Sequence, residues 1–292
     1  MRRMMVGMPE EVCSIVLHGR RIAYRDSGVG DRPVVFLHGI GSSAAAWSPV
    51  AAGLQELGHR TIAVDLPGHG DSSKSRGDYS LSELASVQRD LLDALEIPRV
   101  ILVGHSLGGG IALQFAYLYR DRLDGLALVS AGGLGPETSM VLKAMALPGS
   151  ELVIGAVFNR GTVGAAAAVA RGWQRFGEVP PVLAPTSIER FREIADPDHR
   201  YAFLSILRSV VDQKGQKVSA LPHFQAIHDL PVLLIWGSAD HILPVSHGRD
   251  AHLLLPQSRL VVFEGAGHEP HVEDPVRVVG LLDHLTGEIL PP

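Results

Sequence analysis

Cysteine is almost absent from this 292-residue sequence, which contains only Cys13. A single cysteine cannot form an intramolecular disulfide or a metal site built from several thiolates, so the fold must be stabilised by other means. So little cysteine is typical of proteins in a reducing compartment, and we expect a cytoplasmic protein.

Long apolar stretches and a large charge of one sign are also absent. Glycine, proline or charged residues interrupt the apolar segments, and residues 1–9 contain two arginines but no apolar core. The sequence therefore predicts neither a transmembrane helix nor a signal peptide. The net charge of -5 gives no reason to expect nucleic acid or a membrane surface as a partner. We expect a monomer or homodimer that acts on a small molecule.

Short apolar runs recur along the chain, and they predict buried β-strands. They are continuous rather than alternating, which is typical of parallel strands covered on both faces. The hairpin signal at residues 15–24, with a turn at His18-Gly19, predicts an antiparallel pair before them. The six runs lie at residues 34–37, 61–64, 100–103, 126–129, 232–235 and 260–263.

Helical patterns separate these runs, and the alternation predicts a parallel α/β sheet with right-handed crossovers. Residues 81–95 follow Ser80, and Glu83 completes a capping box. The alternation stops between about residues 131 and 229, where helical patterns dominate. We therefore predict an α/β core at 1–131 and 230–292 with an inserted helical cap, or lid, at 132–229.

The segment Gly104-His105-Ser106-Leu107-Gly108 matches the G-x-S-x-G pattern of a nucleophile elbow. A serine on a tight strand-to-helix turn needs small residues two positions away on each side, because neighbouring backbone approaches closely there. A strand run precedes this segment and a helical pattern follows it, as the motif requires. Ser106 is therefore the candidate nucleophile.

A serine needs a base to remove its proton and a third group to orient that base. Asp240 follows the run at 232–235 and His268 follows the run at 260–263, in the chain order Ser…Asp…His. The competing histidines, His271 and His241, lack the Gly-x-Gly spacing that releases a loop from its strand. We therefore predict His268 as the base and Asp240 as its partner.

Two backbone N–H groups must point at one spot to stabilise an oxyanion. The amide of Leu107, directly after the serine, is one candidate. The segment His38-Gly39-Ile40-Gly41 turns back toward the elbow after a core strand, and the amide of Ile40 is the second candidate. His38 is interpreted mainly as a buried structural histidine, with a place in the substrate pocket as the alternative.

Four segments together resemble the α/β-hydrolase superfamily, in its branch of serine esterases, C–C hydrolases and epoxide hydrolases. They are residues 38–41, residues 65–72 (DLPGHGDS), residues 104–109 and residues 265–268. The resemblance implies a mainly parallel eight-stranded sheet flanked by helices, with an inserted helical cap and a Ser-His-Asp triad. In that family residues 65–72 form a structural turn, and we interpret them so.

Departures from the family patterns narrow the activity. Epoxide hydrolases and haloalkane dehalogenases carry Asp at the elbow, where this chain has Ser106. C–C hydrolases of meta-cleavage pathways usually carry a proline in the oxyanion loop and a tryptophan after the catalytic histidine, where this chain has Glu269. Cofactor-free haloperoxidases share the triad but usually lack so large a cap.

The sequence thus predicts hydrolysis of a small to medium carboxylic ester through an acyl-enzyme, without a metal or organic cofactor. C–C bond, thioester or lactone hydrolysis by the same triad remains an alternative, as does a slow-turnover receptor with this fold. Apolar residues of the predicted cap either line the substrate pocket or form the interior of the cap. They are Met140, Leu142, Met145, Leu147 and Phe158.

Overall fold

A computed structural model describes residues 11–28, 30, 32–173 and 192–289. Within these residues eight strands form one sheet in the order β1-β2-β4-β3-β5-β6-β7-β8. This confirms the predicted mainly parallel eight-stranded sheet. The strands are β1 (Val12–Leu17), β2 (Arg20–Asp26), β3 (Val34–Leu37), β4 (Thr61–Val64), β5 (Val100–His105), β6 (Leu123–Val129), β7 (Val232–Gly237) and β8 (Arg259–Phe263).

The first two strands form the predicted antiparallel hairpin, and β2 also pairs antiparallel with β4. His18 and Gly19 have φ values of 50° and 76°, the left-handed pair that a two-residue hairpin turn requires. Every other strand pair in the sheet is parallel. The carboxyl ends of β3 and β5 to β8 therefore lie at one edge of the sheet, where ligand sites form in this architecture.

Helices cover both faces of the sheet. The described α-helices are α1 (Ser48–Glu56), α2 (Leu81–Ala94), α3 (Leu107–Leu118), α4 (Met140–Ala146), α5 (Ser150–Val157), α6 (Arg160–Trp173), α7 (Pro197–Val210), α8 (Val245–Leu254), α9 (Pro270–Glu273) and α10 (Pro275–Ile289). Buried residues of α2, α3 and α8 form one apolar cluster with the sheet, and those of α1 and α10 form a second. Burial of these two layers is the main contribution to folding.

Helices α4 to α7 lie between β6 and β7, inside the region predicted as a cap. Val163, Ala167 and Ala170 are buried side chains of α6, and their spacing places them on one helical face. Helix α7 joins this predicted cap to the sheet: its Ala202 and Ile206 pack in the main core cluster, whereas its Phe203, Leu204 and Leu207 pack in a separate cluster, called the cap cluster.

No single helix among the described residues is long and apolar enough to cross a membrane. The pair α4 and α5, bent by 111° at the break between them, passes that test together on length and composition alone.

Candidate active site

The nucleophile elbow lies between the end of β5 and the start of α3. Ser106 has φ 53° and ψ -114°, a strained conformation for a residue with a side chain. A Cβ placed on Gly104 would lie 2.3 Å from the carbonyl oxygen of Gly108, and one placed on Gly108 would lie 2.3 Å from that of Leu37. Both positions therefore require glycine, and the packing around them holds Ser106 in its strained turn.

Asp240 and His268 meet at the carboxyl ends of β7 and β8. The Nδ1 atom of His268 lies 2.8 Å from Oδ2 of Asp240, and that carboxylate side chain is fully buried. The other carboxylate oxygen, Oδ1, accepts hydrogen bonds from the amides of Ile242 and Leu243, at 2.8 and 2.9 Å. The carboxylate is therefore held from both sides.

The pKa of Asp240 is lowered in spite of its burial. Burial alone raises the pKa of this carboxyl, but the hydrogen bond and the charge of His268 and the amides of Leu243 and Ile242 lower it by more. Asp240 is therefore a carboxylate at neutral pH. It accepts the Nδ1–H of His268 and thereby holds the imidazole in one orientation.

The loop carrying His268 is anchored at both sides of the histidine. The amide of Gly267 donates to both carboxylate oxygens of Glu273, at 3.1 and 2.9 Å. The carbonyl oxygen of His268 lies 2.9 Å from Nε2 of His105, the residue that precedes Ser106. These contacts fix the histidine loop against the elbow.

The other two candidate histidines do not make the hydrogen bond to Asp240 that His268 makes. His271 is fully buried, and its ring packs between those of Trp47 and His105, with centroids 4.2 and 4.5 Å away. His241 is exposed to solvent beside Asp240. Of the three histidines considered, His268 is the one with a hydrogen bond to Asp240.

The oxyanion-loop candidate is a tight turn. The amide of Ser42 donates to the carbonyl of Gly39 at 3.2 Å, and Gly41 has φ 66°, which favours glycine. The amide of Ile40 has no hydrogen-bond partner among the described residues. The amide of Leu107 is the first of α3, where helical amides lack an intrahelical partner.

Two cavities meet at the elbow, and both are lined by Ile40, Ser106, Leu142 and Ile242. The inner cavity, about 50 Å³, continues between the core and the cap along apolar side chains such as Leu207, Val211 and Val218. The outer cavity, about 400 Å³, opens past His268 and also contacts Ser42, Phe203, Glu269 and Glu273. Ser106 thus lies where the apolar inner cavity joins the wider, more polar outer cavity.

The structure corrects the predicted pocket residues. Met140 is 76% exposed, and Leu147 is also exposed, so neither lines the described cavities. Met145 and Phe158 pack within the cap cluster instead. Leu142 is the predicted apolar residue that lines both cavities. The difference arises from helical phase: on α4, residues 140 and 141 face outward and residue 142 faces inward.

His38 also lies away from the pocket, in the structural role that the sequence favoured. It is fully buried and lines neither described cavity. Its Nδ1–H donates to the carbonyl of Gly39 at 2.7 Å, and its Nε2 accepts from the amide of Leu66 at 3.0 Å. The described residues hold no group of three or more His, Cys, Asp or Glu side chains that could bind a metal ion.

Two buried histidines should make the protein less stable in mild acid. Burial lowers the pKa of His38 to about 4, and burial together with His38 lowers the pKa of His69 to about 3, from 6.5. As the pH falls below 6.5 the unfolded chain binds protons that the folded protein excludes, so the free energy of unfolding falls until the folded-state pKa values are reached. From pH 7 to pH 5 these two histidines should together lower the free energy of unfolding by about 3 to 4 kcal/mol.

Urea unfolding at pH 7, 6 and 5 measures this loss. A His69→Gln variant should lose roughly half of the pH-dependent decrease, because one of the two titrating groups is gone. An unfolding free energy that stays constant from pH 7 to pH 5 would contradict the buried neutral histidines.

Comparison with known proteins supports the assignment of the fold. A sequence model of the family described as alpha/beta hydrolase fold matches residues 32–275, which contain Ser106, Asp240 and His268. An uncharacterized protein of Mycobacterium tuberculosis (strain ATCC 25618 / H37Rv) is 40% identical over 279 residues, covering 92% of this chain and 79% of that protein. A 2-hydroxy-6-oxononadienedioate/2-hydroxy-6-oxononatrienedioate hydrolase of Paraburkholderia phymatum is 30% identical over 278 residues, covering 92% of this chain and 91% of the relative.

A solved structure provides a third comparison. A thermophilic esterase from Thermogutta terrifontis, with malate bound, has a TM-score of 0.69 and 25% sequence identity to this chain. The superposition covers 96% of this chain and 99% of the esterase.

Proposed function

The chain belongs to the α/β-hydrolase fold family, and from this premise we propose that it is a serine hydrolase of small to medium carboxylic esters. The observation that carries the proposal is the hydrogen bond between His268 and a buried Asp240, on a histidine that shares a cavity wall with Ser106. A base oriented by a carboxylate, beside a serine on a strained elbow, is the arrangement that acyl transfer requires.

In the proposed mechanism Ser106 Oγ attacks the ester carbonyl carbon while His268 Nε2 takes the serine proton. The carbonyl oxygen becomes an oxyanion that accepts hydrogen bonds from the amides of Leu107 and Ile40. Collapse of this intermediate breaks the bond to the alkoxy oxygen, which receives the proton from His268 and leaves as an alcohol. Water, deprotonated by His268, then attacks the acyl-enzyme and releases the carboxylic acid and Ser106.

The two cavities suggest how an ester is oriented. The inner cavity is lined mainly by apolar side chains and suits the acyl chain, because burial of methylene groups is favourable there. The outer cavity, with its polar residues and its opening to solvent, suits the alcohol that leaves first. This orientation places the ester carbonyl over Ser106, between the two spaces.

A second candidate is C–C bond hydrolysis of the kind named for the Paraburkholderia relative. That relative is named for a dioate, an anionic substrate. Among the described residues, Glu269 and Glu273 line the outer cavity, and no lysine or arginine lines either cavity. A neutral ester avoids the repulsion that an anionic substrate meets from these carboxylates, and this favours the ester.

The proposal is tested by the hydrolysis of p-nitrophenyl esters from acetate to palmitate. We expect turnover to be higher for short acyl chains than for palmitate, because the inner cavity is small. A dioate C–C substrate should be turned over far more slowly. Turnover of the dioate alone would favour the second candidate, and binding without turnover of either would favour a receptor.

Val218 lines the inner cavity and not the outer one, so a larger residue there should shorten the preferred acyl chain. In Val218→Phe we expect kcat/KM for octanoate to fall about 10- to 100-fold relative to acetate, in line with pocket discrimination of 1–3 kcal/mol. The matched control is Val276→Phe, the same change at a side chain that is 81% exposed. Equal shifts in both variants would refute the inner cavity as the acyl site.

A further inference from the structure

Residues 65–72, which the sequence suggests are a structural turn, contact the candidate oxyanion loop at several points. We call residues 65–72 the DLPGHGDS turn. Its Leu66 amide donates to His38 Nε2 at 3.0 Å, and its Asp65 Oδ1 accepts from the amide of Ala44 at 2.7 Å. Between these two contacts, Nε2 of His69 accepts from the amide of Gly41 at 3.1 Å.

The contact with His69 determines which loop amides remain available. The amide of Gly41 is bonded to His69, whereas the preceding amide, that of Ile40, has no partner among the described residues. The Ile40 N–H belongs to the Gly39–Ile40 peptide, whose carbonyl oxygen accepts from the Ser42 amide at 3.2 Å and from Nδ1–H of His38 at 2.7 Å. His69 holds the next peptide, which carries the Gly41 N–H, so the peptides on both sides of the Ile40 Cα are held and the Ile40 amide keeps one direction.

His69 is suited to act as an acceptor at neutral pH. Its side chain is almost fully buried, and its Nδ1–H donates to the carbonyl of Pro67 at 3.3 Å, which leaves the lone pair on Nε2. Burial and the neighbouring His38 lower the pKa of His69 to about 3, so the imidazole stays neutral.

Helix α7 of the cap presses on the same turn and on the same loop. A Cβ placed on Gly68 would lie 2.7 Å from Cβ of Ala202, and one placed on Gly41 would lie 3.3 Å from the ring of Phe203. The loop is thus enclosed between His69 on one side and the cap on the other, so it has little room to take another conformation once the bond to His69 is made.

We propose that His69 is a positioning residue for the oxyanion hole: by accepting from the Gly41 amide it holds the loop directly after Ile40, so that the Ile40 amide stays pointed at the oxyanion. This rests on the proposed serine hydrolase function. His69 lines neither described cavity, so it acts through the loop and not on the substrate.

Three variants separate positioning from general stability. His69→Leu removes the acceptor, and His69→Gln keeps one because its amide oxygen reaches about as far as Nε2. Ser72→Ala is the matched control from the same turn: Ser72 is fully buried, donates to the Asp65 carbonyl at 2.6 Å and accepts from the Ala23 amide at 2.9 Å, toward β2. Each variant is measured for Tm, for kcat and KM on the best p-nitrophenyl ester, and for affinity to an alkyl boronic acid.

The boronic acid reports on the oxyanion hole because it forms a tetrahedral adduct with the serine. For His69→Leu we expect kcat and boronate affinity to fall together by about 10- to 100-fold, somewhat less than removal of a whole oxyanion donor, with KM within about threefold. His69→Gln should stay within about threefold of wild type. Ser72→Ala should lower Tm but leave kcat and boronate affinity of the folded protein unchanged.

A kcat for His69→Leu within threefold of wild type would overturn the inference, as would equal losses in His69→Leu and Ser72→Ala. If His69→Leu does not fold, His69→Asn, whose amide is too short to reach Gly41, takes its place against His69→Gln. The rate at which a fluorophosphonate modifies Ser106, followed by intact mass, keeps the two proposals distinguishable. A wild type that reacts with neither ester nor fluorophosphonate fails the proposed function, whereas a reactive wild type with indifferent His69 variants fails only the inference.

Discussion

Replacing Ser106 by alanine should reduce kcat for ester hydrolysis by about four to six orders of magnitude, leaving only the catalysis that binding and the oxyanion hole provide. In the proposed mechanism the serine oxygen forms the covalent bond to the acyl group. Of the described residues that line the outer cavity with His268, Ser42 on the candidate oxyanion loop is the other one with a hydroxyl group. The strained backbone of the elbow should be preserved, because alanine retains the Cβ that already occupies φ 53°.

The comparison requires that Ser106→Ala be folded. Its Tm should lie within a few degrees of that of the wild type. Its dissociation constant for the carboxylic acid product should also be unchanged. A mass shift corresponding to the acyl group should appear on wild type, in acid-quenched samples, and be absent from the variant. Residual turnover above about one per cent, in protein free of wild type, would exclude Ser106 as the nucleophile.

Replacing Asp240 by asparagine should lower kcat by about 10⁴-fold at neutral pH, although the fold is retained. The reason lies in the partners of the two carboxylate oxygens. Oδ1 accepts from the amides of Ile242 and Leu243, so the amide oxygen of the asparagine must take that position. Its NH₂ group then faces Nδ1 of His268, where it donates a hydrogen bond and stabilises the tautomer whose Nε2 carries a proton. That tautomer cannot take the proton of Ser106.

Asp283→Asn is the matched control, because Asp283 also pairs with a histidine, His59, at 2.7 Å, but on the protein surface. We expect this control to keep wild-type kcat and KM. Steady-state kinetics at pH 7.5 with both variants makes the comparison, and far-UV circular dichroism checks the fold. More than a tenth of wild-type kcat in Asp240→Asn would mean that another carboxylate orients His268.

The strands were predictable from the sequence where burial is complete. The runs at 34–37 and 61–64 coincide with β3 and β4 from end to end, since every residue in them is buried and apolar residues fill both faces. The hairpin was found but its ends were not: β1 and β2 extend beyond residues 15–24 as strands of mixed burial, which carry weaker patterns. The elbow was predictable because its glycines are a steric necessity.

The pocket was not predictable to the same degree. A short helix such as α4 gives too few residues to fix its phase, so Met140 and Leu142 look equivalent in the sequence although one is on the surface and the other faces Ser106. The contact between His69 and Gly41 spans 28 residues and joins a side chain to a backbone amide. Backbone partners leave no complementary residue type in the sequence, so only the folded structure reveals them.

The inner and outer cavities share the wall around Ser106 but lead in different directions. In the proposed mechanism the two products therefore leave in order. The alcohol leaves first, through the outer cavity, while the acyl group remains in the inner cavity. The space just vacated then receives the next nucleophile. An added alcohol of similar size therefore competes there with water, and the ratio of new ester to free acid depends on its concentration. Under the proposed mechanism we therefore expect the protein to act as an acyltransferase when the acceptor is abundant.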